Sequence, residues 1–110
     1  MLINEEKEVE LLQLDSKISG AVKPYNDPIH LLKETEVYIL IDDAHKKIFL
    51  WIGSQAGVWP RFIGTNAAQQ IQRNRGLTHR VISIDQGEET VEFIQSISSI
   101  DMIKSDQFKK

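Results

Sequence analysis

The chain contains no cysteine. That absence removes disulfides and thiolate metal ligation from the devices that hold a small fold together, and it permits a reducing interior without requiring one. There is no excess of positive charge either: 13 Lys and Arg against 16 Asp and Glu leave a formal charge of -3. Nucleic-acid binding needs the opposite, a clustered basic surplus. Lys104 to Lys110 is mildly basic, but short polar ends of this kind are usually frayed termini. No apolar run approaches the ~20 residues of a membrane span. The acidic start MLINEEKEVE lacks the basic region and apolar core of a secretory signal, and its run Glu5, Glu6, Lys7, Glu8 reads as a solvated start. No internal repeat and no low-complexity segment is present. The expectation is one cytoplasmic, monomeric domain over 1–110, with residues 1–7 and 104–110 as flexible ends and neither nucleic acid nor membrane as a partner.

Catalytic signatures are missing as well. The three histidines, His30, His45 and His79, fall in separate segments, and there is no G-x-S-x-G elbow, P-loop or G-x-G-x-x-G turn. Glu88-Glu89 stands where a helix begins, a place that favours acidic residues through the helix dipole alone. The cluster Asp42-Asp43-His45 is explained by a solvated turn. So small a core leaves little room for a concave active site, and the chain is read as not an enzyme.

What is present is the profile of one compact globular domain: 41% hydrophobic and 26% charged residues in 110. Val9 to Leu14 (VELLQL) reads as a first strand ended by the turn-rich DSKISG. Ala21 to Asn26 (AVKPYN) reads as a second, placed at an edge by Pro24. Glu36 to Ile41 and Lys47 to Ile52 are rich in β-branched and aromatic residues and are joined by the polar Asp42 to Lys46, a hairpin pattern. Both runs are apolar at odd and even positions alike, so both of their faces must be covered. Val37, Ile39, Leu50 and Trp51 are expected in the core. After Gly53 comes a helix over about 59–75, then Arg80 to Ile84 as a further strand, which has the length and order of a parallel β-α-β crossover. Asp85 to Glu88 resembles a capping box for a second helix with Val91, Phe93, Ile94 and Ile97 as its apolar residues; beyond Ser98 the pattern weakens.

The first helix carries more apolar surface than one buried face needs. At about 100° per residue, Gly64, Ala67, Ala68 and Ile71 cluster within roughly a third of the circumference, a small-residue face suited to lying close to a sheet. Trp59 and Phe62 point nearly opposite, with Asn66, Gln69 and Arg73, while Ile63 falls on the flank. Two arrangements remain open besides this one: the aromatic face is the buried one, or Trp59 precedes the helix and folds back as a staple, with Pro60 in the first turn.

From Glu36 onward the segment EVYILIDDAHKKIFLWIGSQAGVWPRFIGTNAAQQI resembles the gelsolin-like repeat. The shared features are an acidic residue, an apolar strand ending in Asp, a short turn, a second strand ending in aromatic-x-Gly-Ser, and a long helix with small residues on its inner face. Trp51-Ile52-Gly53-Ser54 is the most specific part, and the likeness extends from Glu36 to Ile84, with the outer elements following the same order more loosely. The resemblance implies an α/β (α+β) fold, a central mixed β-sheet of about five strands between one long helix and one shorter helix. It also implies binding to actin, monomer or filament end, with the long helix wedged into a cleft between two actin subdomains. The matching outward positions are Trp59, Phe62, Ile63, Asn66, Gln69, Gln70 and Arg73. Sequestering or capping is the expected activity, since severing usually joins several such repeats. The alternative keeps the fold and gives it another partner, as in the gelsolin-like interaction modules of vesicle coats. A stand-alone repeat of this size also resembles the Asgard archaeal gelsolin-like proteins. Members of the family usually bind calcium through an acidic residue before the central strand and a Glu near the start of the long helix. Glu36 matches the first, with Thr35 in place of the usual Gly, but Pro60 stands at the second and offers no side-chain oxygen. No cofactor is therefore expected to be required, and Glu36 and Asp42, with Glu34, are the remaining weak candidates for a metal.

Overall fold

The computed structural model of the chain describes residues 9–15, 22–25 and 32–107. Of the expected flexible ends, 1–7 and 108–110 lie outside the described residues, as do His30 and the start of AVKPYN.

The architecture follows from the two doubly apolar strands. β3 (Val37–Asp42) and β4 (Lys47–Ile52) pair antiparallel, with Ile39 opposite Leu50 and Leu40 opposite Phe49. β1 (Val9–Leu14) adds antiparallel to β3, and β2 (Val22–Pro24) to β1. On the far side β5 (Arg80–Asp85) pairs parallel to β4, reached through α1 (Val58–Asn74). The result is a five-stranded mixed sheet in the order β2-β1-β3-β4-β5, with Pro24 on the short edge strand as its missing N–H requires. Strand ends differ from the sequence reading by a residue: β3 ends at Asp42 and β5 at Asp85.

Alternate side chains of the central strands divide into two cores of different character. Val37, Ile39, Ile41, Ile48, Leu50 and Ile52 form an aliphatic layer with Leu12, Leu14 and Ala68, and this layer lies under α1. Tyr38, Leu40, Phe49, Trp51 and Ile84 form the other with Leu11 of β1 and with Phe93, Ile97 and Ile100 of α2 (Val91–Gln107), and among the described residues every buried aromatic ring is here. Tyr25 meets Tyr38 edge-on at 5.0 Å and Phe49 meets Phe93 at 5.6 Å. The expected core residues Val37, Ile39, Leu50 and Trp51 are all buried.

The second helix departs from its sequence reading in three ways. Asp85 does not cap it, because Asp85 is the last residue of β5 and its carboxylate accepts from Arg61 at 3.2 Å. The cap is Thr90, whose Oγ1 accepts the Phe93 N–H at 3.2 Å. Val91 and Ile94, expected in the apolar stripe, are exposed: Phe93, Ile97 and Ile100 sit at i, i+4 and i+7 on the sheet side, and Ile94 is turned about 100° from Phe93. The helix also continues to Gln107, past the weakening of its pattern at Ser98.

The join between β4 and α1 is the tightest backbone approach. The Gly53 N–H donates to the Glu36 carbonyl at 3.0 Å and the Gln55 N–H to the Glu34 carbonyl at 2.8 Å. A Cβ on Gly53 would stand 2.2 Å from the Glu34 carbonyl oxygen, so the glycine of the aromatic-x-Gly-Ser pattern is a steric requirement. Gly53→Ala is expected to destabilise the domain by about 2 kcal/mol or more, because a rigid backbone must yield. Gly64→Ala meets only the side chains of Val37 and Leu50 and gains helix propensity, so it should cost less. Denaturant midpoints of the two variants check this order.

Candidate functional site

α1 is built to lie flat on the aliphatic layer. Gly57, at φ 87, turns the chain into the helix. Pro60 is its third residue, a place where no intrahelical N–H bond is lost. Gly64 and Ala68 are buried and bring the axis close to Val37 and Leu50, with Ala67 and Ile71 packed beside them. The small-residue face is therefore the inner one. Trp59 is the second residue of the helix and no staple ahead of it, and the arrangement with the aromatic face buried does not occur.

The outer face is what remains. Trp59 is 63% and Phe62 53% exposed, and their rings contact one another with centroids 5.7 Å apart. Asn66, Gln69, Gln70 and Arg73 continue the exposed face toward the C-terminus. Ile63 differs from its neighbours: it is half-buried and packs against the aliphatic layer, on the shoulder of the face. Val58, 84% exposed ahead of Trp59, extends the apolar end and was not singled out by sequence reasoning, although it adjoins Trp59 in the same apolar run. Leu77 is also exposed, just past the helix in a left-handed conformation with φ 66.

Polar ties hold the helix at both ends. Near its start Arg61 Nη2 donates to Asp85 at 3.2 Å. At its finish Asp43 Oδ1 accepts from Arg75 Nε at 2.9 Å and pairs with His79 Nε2 at 2.7 Å, while Gln72 Nε2 donates to the His79 carbonyl at 2.8 Å. Burial alone would raise the Asp43 carboxyl; the hydrogen bonds from Arg75 and His79 outweigh it and hold the group below the usual carboxylate range. Asp43 thus joins the β3–β4 hairpin to the end of α1, which gives it a partner set that a merely solvated turn would lack.

The candidate metal ligands are kept apart. Glu36 precedes β3 and Asp42 ends it, a separation of about 20 Å at 3.3 Å per residue. Asp42 is 1% exposed, and its carboxylate already accepts the Ser96 hydroxyl and the His45 N–H, with the His45 ring at 2.9 Å. Burial raises this carboxyl, and the bonds from Ser96 and His45 more than reverse it, so Asp42 is a paired structural anion. Among the described residues no group of three or more acidic or histidine side chains converges. Glu36, Pro60 and Gly53 do share the end of the sheet where β4 leaves for α1, and proline at the helix position supplies no side-chain oxygen there. Among the same residues, no helix is long and apolar enough to cross a membrane.

No protein-family model and no curated protein matches the chain. Solved structures do. A chain of the Thorarchaeota ProGel/rabbit actin complex superposes with a TM-score of 0.71 at 25% identity, over 79% of this chain and 96% of that one. A chain of the Thorarchaeota 2DGel3/rabbit actin complex superposes with a TM-score of 0.64 at 26% identity, over 79% of this chain and 41% of that one. The chain has a gelsolin-like fold. This chain spans about two fifths of the second of these chains.

For a chain of this fold the proline generates a direct test. Calcium should change the melting temperature of the native protein little, because a ligand stabilises only when its concentration well exceeds its dissociation constant. Pro60→Glu should raise calcium affinity if Glu36 and position 60 face one another as they do in the family. Calorimetric titration decides both: micromolar binding by the native protein contradicts the first expectation, and no gain in Pro60→Glu contradicts the match of positions 36 and 60 to the family's calcium ligands.

Proposed function

We propose that this domain binds actin through the outer face of α1, with Trp59 and Phe62 as anchors, Ile63 at the shoulder, and Asn66, Gln69, Gln70 and Arg73 as the polar continuation. The carrying observation is a pair of contacting aromatic rings left in solvent on a helix whose opposite face is committed to the sheet. Adjacent exposed aromatics of this kind mark interaction surfaces. Covering each ring removes on the order of 100 Å² of apolar surface from water, worth about 2.5 kcal/mol apiece before the costs of association. The two similar solved chains come from complexes with rabbit actin, which supports actin as the partner.

In this reading the helix wedges between two actin subdomains, as the family resemblance implies. One such face engages one cleft, so the activity is monomer sequestration or capping of filament ends rather than severing. The same account leaves catalysis out, in line with the sequence.

Phe62→Asp should leave folding stability nearly unchanged, because Phe62 is already exposed, yet weaken actin binding by about 2 kcal/mol or more. Ala67→Asp should do the reverse, unfolding the domain by placing a charge against the aliphatic layer. Thermal melts with pyrene-actin and co-sedimentation assays read both. If both variants fold and hold actin as the native protein does, the contact lies elsewhere and a non-actin interaction module becomes the better account.

A further inference from the structure

The proposed binding face has an uneven charge. Between Val58 and Arg75 stand three arginines and no acidic residue, in a chain whose formal charge is -3. Two of the three are used within the fold: Arg61 reaches Asp85 and Arg75 reaches Asp43. Arg73 has no carboxylate partner among the described residues. Its Nη2 donates to Gln70 Oε1 at 2.9 Å, and Gln70 Nε2 in turn donates to Asn74 Oδ1 at 3.3 Å. The Gln70 amide is thereby fixed from both sides, and it aims the guanidinium while leaving its other N–H groups in solvent.

Position along the helix gives this group its meaning. Eleven residues separate Phe62 from Arg73, which is about 16 Å of rise and a net rotation of only about 20°, so both stand on one stripe with Asn66 and Gln69 between them. A helix end favours a cation through the dipole alone, but the dipole requires neither alignment with the aromatic pair nor an amide that orients the guanidinium.

We infer that Arg73 is a specificity-determining contact that takes a carboxylate of the partner, about 16 Å along the helix from the apolar recess that receives Phe62. This rests on the reading of the α1 outer face as the actin-binding surface and adds the chemistry that surface must meet: an apolar cleft at one end and an acidic group at the other. A guanidinium fork grips a carboxylate through two parallel N–H bonds, which a lysine ammonium cannot reproduce. In open solvent such a pair contributes little. Against a wedged helix that excludes water it contributes more, and arginine is among the residues enriched at binding hot spots.

The test uses the full chain and monomeric, non-polymerisable actin at low and at physiological salt. Arg73→Gln should weaken binding about tenfold and Arg73→Glu about a hundredfold, with Arg73→Lys between the native protein and Arg73→Gln. Salt should weaken the native complex and have less effect on Arg73→Gln, since the screened pair is gone. Melting temperatures of the free variants separate a helix-end role: a lowered melting temperature with native affinity in Arg73→Glu overturns the inference. Lost binding in Phe62→Asp with native binding in Arg73→Glu overturns the inference alone. Native binding in both variants overturns it together with the reading on which it rests.

Discussion

Two adjacent strands with apolar side chains on both faces set the conditions for everything else in this domain. β3 and β4 cannot leave either surface in water, so the chain must supply a cover for each, and the crossover that returns it to a parallel β5 supplies the first. The covers are not equivalent. The α1 side of the sheet is purely aliphatic, and a helix with Gly64 and Ala68 at its contact settles close against it. The α2 side holds the large rings, and α2 reaches them with Phe93 and two isoleucines.

That asymmetry is what turns α1 from a cover into a candidate binding element. A helix seated through glycine and alanine satisfies the sheet without spending its large apolar residues, so Trp59 and Phe62 remain outside. Helix orientation is then held by groups that belong to other parts of the chain: Asp85 near the start, Asp43 and His79 at the finish. A face fixed in this way meets a partner with little ordering to be done, which is where binding free energy is otherwise lost.

The strands, the crossover and the small-residue stripe of α1 were legible in the sequence because each depends on local periodicity. Even-and-odd apolar runs announced a two-faced sheet, and the spacing of Gly64, Ala67, Ala68 and Ile71 marked a small-residue face, while the choice between it and the aromatic face came only with the sheet beneath. Polar partnerships were not legible, since they join distant residues. The buried Asp42 depends on Ser96, 54 residues away, and Asp43 on His79, 36 residues away. Nothing in Asp42-Asp43-His45 distinguishes such anchors from a solvated turn. The capping error at Asp85 has a similar origin: a good local pattern lost to the parallel strand that claimed the residue, and the quieter Thr90 took the role. Ile63 was placed on the flank by rotation alone, but only the aliphatic layer beneath shows how far it turns inward.

The central claim, that one side of α1 belongs to the fold and the other to a partner, has a built-in pair of reporters. The chain has two tryptophans. Trp51 is buried on the α2 side, its indole N–H donating to Glu89 at 2.8 Å, and Trp59 stands exposed at the start of α1. Fluorine NMR of the 5-fluorotryptophan-labelled protein, titrated with unlabelled monomeric actin, reads both sites in one spectrum. A changed Trp59 chemical shift with an unchanged Trp51 shift is the expected result. A Trp59 shift that stays put while actin is demonstrably bound would contradict the account.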